Sequence, residues 1–151
     1  MPTHFTGSRA KMLTLDTFIK LTRCTNSVLG RLAERQTVGN LTYSQFAVLE
    51  ALYHLGSMTQ GEISSKILKS TSNLTTVIDN LERDGQVRRE RDIKDRRVIH
   101  VHLTEAGKEK IEAVFPNHVA ALVDEFSVLS ALEQRTLGEL CKKLGKGKAS
   151  T

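Results

Sequence analysis

The sequence predicts a mainly α-helical fold with one small β-hairpin, an α+β class in which the hairpin follows a row of helices. Apolar residues recur at three- and four-residue steps over most of the chain, which is typical of amphipathic helices. Three of these segments open with Ser or Thr followed three residues later by Glu or Gln, the pattern of a helix start. Between residues 85 and 104 the spacing changes to that of two short strands around a charged segment.

Length and composition predict one domain over residues 1–151, with a polyanionic partner. The 151 residues are 39% hydrophobic, which is enough for one core. The net charge of +5 and the pI of about 9.4 favour nucleic acid as the partner. The two cysteines lack CxxC spacing, so they suggest neither a disulfide framework nor a zinc knuckle. No apolar run has the length needed to cross a bilayer. We therefore expect a cytoplasmic protein that does not bind membranes.

The first two helices are predicted from apolar periodicity and from a cap. The first runs from Leu15 to about Ala33, and we expect residues 1–13 and 145–151 to be poorly ordered ends. The second begins at the capping box of Thr42 and Gln45 and ends at Gly56.

The next two helices are short and lie close together in sequence. Thr59 with Glu62 opens a helix of about two turns, and a tight turn follows at residues 68–69. Ser70 caps the fourth helix, which ends before Gly85, a residue that readily adopts positive φ. The apolar stripe of this fourth helix consists of Leu74, Val77, Ile78 and Leu81. Its other face is polar.

A hairpin and two further helices complete the chain. The predicted strands contain Val87 and residues 98–103. Thr104 caps a long helix that Pro116 is expected to bend, and Ser130 begins a last helix that stops before residue 145.

The order of a short helix, a turn, a polar-faced helix and a basic hairpin predicts a winged helix-turn-helix. A helix that enters the major groove needs short hydrogen-bonding side chains near its start, and a cationic hairpin tip can enter the minor groove. An acidic neighbour such as Asp95 can orient an arginine there. The candidate DNA contacts are Thr59, Gln60, Ser70, Thr71, Ser72, Asn73, Thr75, Thr76, Asn80, Lys94, Asp95, Arg96 and Arg97. The same side chains also fit a helix cap and a solvated turn.

The segments LTYSQFAVLEAL, MTQGEISSKI and SNLTTVIDNLERDGQVRRERDIKDRRVIHVHLTEAGKE resemble the MarR family of bacterial transcription regulators over residues 41–109. The most specific part is the segment from Leu74 to Leu81, then Gly85, and then the pattern Asp95-x-Arg97 that runs into Leu103-Thr104-x-x-Gly107. The resemblance implies a homodimer built through N- and C-terminal dimerisation helices, about residues 14–36 and 105–145. Residues 41–104 would form the DNA-binding part.

The same resemblance implies a ligand-responsive repressor that binds a palindromic operator. The face of residues 70–80 would enter the major groove, and Arg96 or Arg97 the minor groove, with Arg97 the stronger candidate. A phenolic or other small aromatic effector would bind in a pocket, for which the candidates are Phe18, Thr22, Tyr53 and His54. Core or interface packing explains these four residues as well.

Several alternatives remain open. Cys24 could sense oxidants, although we favour packing for Cys24 and for Cys141, which would fill a dimer seam. His100 and His102 share one strand face and could begin a metal site. That site would need His4, His118 or Glu105. A protein-interaction module of the same fold is a further alternative. An enzyme is not expected, because the chain lacks a phosphate loop, a nucleophile elbow and HExxH.

Overall fold

The computed structural model describes residues 4–67 and 71–148, without the side chains of residues 71 and 72. In these residues the elements are α1 (Arg9–Glu34), α2 (Tyr43–Leu55), β1 (Met58–Thr59), α3 (Gln60–Ile67), α4 (Thr71–Arg83), β2 (Val87–Arg91), β3 (Ile99–Leu103), α5 (Glu105–Phe126) and α6 (Ala131–Lys146). The predicted class, mainly helical with a small hairpin, is confirmed. The chain divides into a central unit, Gln36–His118, and a terminal unit formed by the described residues on either side.

The terminal unit contains α1, the end of α5 and α6. Helix α1 begins at Arg9, because the Ser8 side chain accepts a hydrogen bond from the Lys11 amide, so the predicted helix start near residue 14 is wrong. Residues 9–14 are all exposed, which explains why they lack apolar periodicity. The capping box of Ser130 and Glu133 opens α6 as predicted, but α6 continues to Lys146 rather than stopping before residue 145.

The central unit has one hydrophobic core shared by α2, α3, α4, the sheet and the start of α5. Thr42 and Gln45 form the predicted capping box of α2, and Gly56 follows its end with a φ of 84°. The fully buried core side chains are Val48, Leu49, Ile63, Leu74, Ile78, Leu81, Val87, Val101 and Ile111. The apolar stripe predicted for α4 is thus the part of α4 that packs inward.

The sheet has three antiparallel strands in the order β1-β3-β2. Val87 pairs with Leu103 in the predicted hairpin, and Met58 pairs with Val101. Strand β1 was not predicted, since two residues are too few to show an alternating pattern. Its pairing with β3 joins the start of α3 to the hairpin.

Thr104 fastens the base of the hairpin to the start of α5. Its amide donates to Gln86 O at 3.1 Å, and its hydroxyl donates to Gly85 O at 2.6 Å. The same hydroxyl oxygen accepts the Gly107 amide at 3.1 Å, which confirms the predicted cap. These contacts fix where the two strands leave the core. Among the described residues, no helix is both long and apolar enough to cross a bilayer.

Candidate nucleic-acid interface

Helix α4 buries one face and presents a polar face to solvent. Leu74, Ile78 and Leu81 are 0% exposed, so they fix how the helix is rotated about its axis. The predicted contact residues Asn73, Thr75 and Thr76 are exposed on the other side, and Asn80 is half-buried. Ser70 and the side chains of Thr71 and Ser72 lie outside what the structure describes.

The start of α3 contacts this polar face. Gln60 Nε2 donates a 2.6 Å hydrogen bond to Thr75 Oγ1, so the structure brings together two of the predicted contact residues. Thr59 has a local role, because its hydroxyl oxygen accepts the Glu62 amide at 3.2 Å while its own amide donates to Glu62 Oε2 at 2.8 Å. This reciprocal pair is the predicted capping box of α3.

The hairpin tip carries an arginine held by an aspartate. Arg97 donates to Asp95 through its amide at 3.0 Å, through Nε at 3.1 Å and through Nη2 at 3.3 Å. The Arg97 side chain is nevertheless 91% exposed. Hydrogen bonds from the Arg97 side chain, and then from its amide, lower the pKa of Asp95, so its carboxylate stays charged. The tip thus presents a guanidinium in a defined orientation, as the sequence predicts.

The remaining tip side chains point into solvent around a closed turn. The Asp92 amide donates to Val98 O at 2.9 Å, and Arg91 Nη1 donates to Arg96 O at 3.1 Å. Lys94 and Arg96 are exposed. The tip is therefore a shaped cationic turn.

Arg89, which the sequence places in the same cationic segment, points elsewhere. Its Nη2 lies 2.7 Å from Asp79 Oδ1, and its Nη1 lies 3.1 Å from Glu82 Oε1. Its amide also donates to Glu82 Oε2 at 2.8 Å. The Arg89 side chain is only 20% exposed. One basic residue of the hairpin therefore joins β2 to α4, a contact that the charge pattern of the sequence did not predict.

The two histidines of β3 belong to a polar cluster on the hairpin. His102 Nδ1 lies 2.7 Å from Ser57 Oγ, and His102 Nε2 lies 3.2 Å from Glu90 Oε2. The hydrogen bond and charge of Arg88, followed by the charge of His102, lower the pKa of Glu90. Within residues 4–67 and 71–148, no three His, Cys, Asp or Glu side chains are grouped as a metal ion would need.

His118, named as a possible third ligand, is instead part of the core of the central unit. A 3.1 Å hydrogen bond joins its Nδ1 to Thr37 Oγ1. Its ring centroid lies 4.6 Å from that of Phe46 and 5.9 Å from that of Tyr43. Burial lowers the pKa of His118, and the charge of Glu50 partly opposes this shift.

The four predicted effector contacts fall into two pairs. Phe18 and Thr22 belong to the terminal unit. The Phe18 side chain is 62% exposed, and Thr22 Oγ1 donates a hydrogen bond to the carbonyl oxygen of Phe18 at 2.9 Å. Tyr53 and His54 belong to the central unit. Tyr53 donates its hydroxyl to Glu112 at 3.1 Å, and that hydrogen bond raises the pKa of Tyr53.

One residue of each pair lines an open groove. Phe18 lines an apolar groove of about 720 Å³ along the start of α1, together with Phe5 and Leu15. His54 lines a polar and apolar groove of about 530 Å³, and its ring packs 5.3 Å from that of Phe115.

Both cysteines are exposed and line one cavity of about 370 Å³ in the terminal unit, between α1 and α6. The other residues around this cavity are mostly apolar, including Leu21, Val28 and Leu137. The packing predicted for the cysteines is therefore not provided by a single chain.

Sequence comparison identifies relatives that are named as regulators. The family model described as MarR family matches residues 41–99. The uncharacterized HTH-type transcriptional regulator YkoM of Bacillus subtilis is 43% identical over 102 residues, which are 68% of this chain and 66% of YkoM. The HTH-type transcriptional regulator MhqR of the same organism is 34% identical over 131 residues, 87% of this chain and 90% of MhqR. The transcriptional repressor MprA of Escherichia coli is 34% identical over 88 residues, 58% of this chain and 50% of MprA.

Solved structures share the fold at low identity. AbsC, a MarR family transcriptional regulator from Streptomyces coelicolor, matches with a TM-score of 0.78 at 24% identity, covering 95% of this chain and 97% of AbsC. PcaV from the same organism, solved with its natural ligand, matches with a TM-score of 0.77 at 22% identity, covering 84% and 90%. BpsR of Bordetella bronchiseptica, whose DNA binding is regulated by 6-hydroxynicotinic acid, has a TM-score of 0.66 at 23% identity, covering 80% and 98%.

These matches agree with the geometry of α4 and the hairpin, and MhqR extends the similarity over most of the chain. The chain belongs to the MarR family and is a DNA-binding transcriptional regulator rather than an enzyme.

Proposed function

We propose that this protein is a repressor that binds a near-palindromic operator as a homodimer. In this proposal α4 of each subunit enters a major groove, and the hairpin tip enters the adjacent minor groove. The observation that carries it is the paired placement of Asp95 and Arg97 at the end of a hairpin that is fastened to α4. MprA is named a transcriptional repressor, which supports repression over activation.

The reading face fits close approach to base edges. Asn73, Thr75 and Thr76 have short side chains, so the backbone of α4 can come near the groove floor. Gln60 extends this face through its hydrogen bond to Thr75. Since none of these positions carries an arginine, we expect part of the specificity to come from bridging water and DNA shape.

Arg97 fits minor-groove binding for a physical reason. A free arginine loses side-chain entropy when it enters a groove, whereas the Arg97 side chain is already oriented by two hydrogen bonds to Asp95. Its exposed guanidinium can then respond to the negative potential of a narrow groove.

Replacing Arg97 tests the DNA-binding role directly. Arg97→Ala is expected to weaken operator binding by about 1 to 3 kcal/mol per subunit and to lower the slope of log affinity against log salt by about 1.8, which is about 0.9 for each subunit of the dimer. Arg135→Ala, which removes the same charge from α6, is the matched control and should leave both quantities close to wild type. Fluorescence anisotropy with operator duplex over a salt series measures both. Unchanged affinity in Arg97→Ala, with a flat salt profile in wild type, would favour a protein-interaction module.

The homodimer is supported by apolar side chains that a single chain leaves in solvent. Every residue of α6 is exposed, and its outward apolar residues are Leu132, Leu137, Leu140 and Leu144. On α1, Leu13 and Phe18 are 67% and 62% exposed. Apolar helix faces of this kind are normally covered by another protein surface. A second copy also supplies two α4 helices for two half-sites.

Light scattering at micromolar concentration tests the dimer. The expected mass is twice the 16.8 kDa of one chain. Leu140→Glu on α6 should shift the population towards monomer, because a charge would be buried in the interface. Leu55→Glu on α2 is the control, since Leu55 has nearly the same exposure, 58% against 60%, and lies in the central unit. A monomeric wild-type protein would contradict the proposal.

We also propose that a small aromatic or phenolic molecule regulates DNA binding. PcaV was solved with a natural ligand, and 6-hydroxynicotinic acid regulates DNA binding by BpsR. In this chain the proposed contacts are Phe18, Thr22, Tyr53 and His54. Phe18 offers an exposed ring for packing, and the Tyr53 hydroxyl together with Glu112 offers polar groups to a phenol.

A further inference from the structure

Arg89 is the one arginine of the hairpin segment 88–97 whose guanidinium contacts α4 in the described structure. Asp79 and Glu82 are three residues apart, so their carboxylates lie on the same side of α4. The guanidinium spans both carboxylates, and Nη2 also lies 3.5 Å from the carbonyl oxygen of Thr75. The Glu82 carboxylate accepts the Arg89 amide as well. Both the amide and the guanidinium of Arg89 are thus attached to α4.

We propose that Arg89 is a positioning residue that sets where the hairpin stands relative to α4, and through this the preference for operator over other DNA. The inference rests on the proposed function, because it concerns how that DNA is read. It assigns Arg89 no contact with DNA.

The orientation of Arg89 follows from the alternation of β2. Side chains two residues apart on a strand share a face, so Arg89 lies on the same face as Val87, which is 1% exposed. In the ladder Arg89 pairs with Val101, which is 0% exposed. The stem of Arg89 therefore covers the edge of the core, and its charged end meets the two carboxylates of α4.

The occupied donors of Arg89 argue against a phosphate contact. A guanidinium has donors in a fixed fork, and here the fork is directed at two carboxylates and a carbonyl. Turning Arg89 towards a phosphate would leave Asp79 and Glu82 unpaired beside the polyanion, which is electrostatically unfavourable. Arg97 differs, since its side chain is 91% exposed against 20% for Arg89.

The test compares variants that separate geometry from charge. Arg89→Met keeps the apolar stem and removes the guanidinium. The double variant Arg89→Met with Asp79→Asn also removes the contact but has the net charge of wild type. Arg97→Met removes a charge of the proposed minor-groove contact. Each is titrated over a salt series against the operator defined by footprinting of wild type, and against a scrambled duplex of equal length.

The double variant is expected to lower the ratio of operator affinity to scrambled-duplex affinity by about tenfold. Its affinity for the scrambled duplex and its salt slope should match wild type, because it has lost no phosphate contact. Arg97→Met should lower the salt slope by about 1.8 on the operator, because the dimer loses one contact from each subunit. Circular dichroism and light scattering confirm that each variant is folded and has the wild-type assembly state.

Two results would overturn the inference. One is an operator-to-scrambled affinity ratio in the double variant that equals the wild-type ratio. The other is a salt slope on scrambled duplex that falls by about 1.8 in Arg89→Met, about 0.9 for each subunit of the dimer. If either variant fails to fold, Arg89→Lys keeps charge and stem but cannot span both carboxylates. It is then expected to lower the ratio, and a wild-type ratio in Arg89→Lys would equally overturn the inference. If wild type itself shows no operator preference, the proposed function fails and the inference fails with it.

Discussion

A methyl group at position 107 should disturb the junction between the hairpin and α5. Gly107 lies in the first turn of α5, with its α-carbon facing the backbone of Gln86. A Cβ built there would fall well inside contact distance of the Gln86 carbonyl oxygen, 2.7 Å from Leu103 Cδ1 and 3.0 Å from Gln86 C. The carbonyl cannot simply move away, because it accepts the Thr104 amide at 3.1 Å. Gly107→Ala therefore has to displace backbone.

The size of the effect follows from three contributions. Overpacking a tight site costs about 1 to 3 kcal/mol. Losing the hydrogen bond between Thr104 and Gln86 costs about 1 kcal/mol more. Alanine has a higher helix propensity than glycine, which stabilises the variant by up to about 1 kcal/mol and offsets part of this loss. We expect Gly107→Ala to lower the free energy of unfolding by about 2 kcal/mol, out of the roughly 5 to 15 kcal/mol that is usual for a domain.

Urea unfolding followed by circular dichroism measures this loss. All samples need one protein concentration, because the stability of a dimer depends on concentration. A loss of about 2 kcal/mol corresponds to a midpoint shift of about 1 M for a slope of about 2 kcal/mol per molar urea. Gly145→Ala on α6 is the control, since its Cβ would meet no heavy atom within 4 Å. Gly145→Ala should be neutral or slightly stabilising. A Gly107→Ala midpoint equal to that of wild type would refute the reasoning.

Two further predictions concern His118 and the effector. Burial lowers the pKa of His118, so the unfolded chain binds a proton first as the pH falls. The stability that the neutral ring contributes is present above about pH 6.5 and is lost below it, by at most about 1.4 kcal/mol per pH unit. His118→Gln should make unfolding less pH-dependent between pH 7.5 and 5.5 than in wild type, and an identical dependence would contradict this. Phenol, catechol or hydroquinone at millimolar concentration should release the wild-type protein from the operator. The Phe18→Ala variant should need a higher concentration of the same compound for release. Equal sensitivity of the two proteins would show that Phe18 does not contact the effector.

The elements that the sequence predicts best are those with short-range causes. The capping boxes at Thr42, Thr59 and Ser130 depend on residues three apart, and each is present in the structure. Gly85, with a φ of 74°, lies two residues past the end of α4 as its positive φ preference predicts. The held arginine at the tip is equally local, since Asp95 and Arg97 are two residues apart.

Errors occurred where the relevant partners are absent from the local sequence. The first turn of α1 is exposed on all sides, so its apolar and polar residues do not alternate with the helical period that burial of one face would produce. Strand β1 exists only because β3, about 40 residues later, offers it a pairing edge. The exposed apolar face of α6 shows the same limit, because periodicity identifies an apolar face without identifying what covers it.

Arg89 represents a different case, because a local signal was present. Counting charges over residues 88–97 treats all basic side chains as equivalent, yet the alternation of β2 places Arg88 and Arg89 on opposite faces. Val87 is apolar and Arg89 follows it by two, so Arg89 had to lie on the inward face. A half-buried guanidinium requires carboxylates, and the preceding helix supplies Asp79 and Glu82 within ten residues. Within β2, strand alternation thus distinguishes the inward Arg89 from the outward Arg88. The salt slopes of Arg89→Met and Arg97→Met test whether Arg89 and Arg97 have the different roles proposed for them.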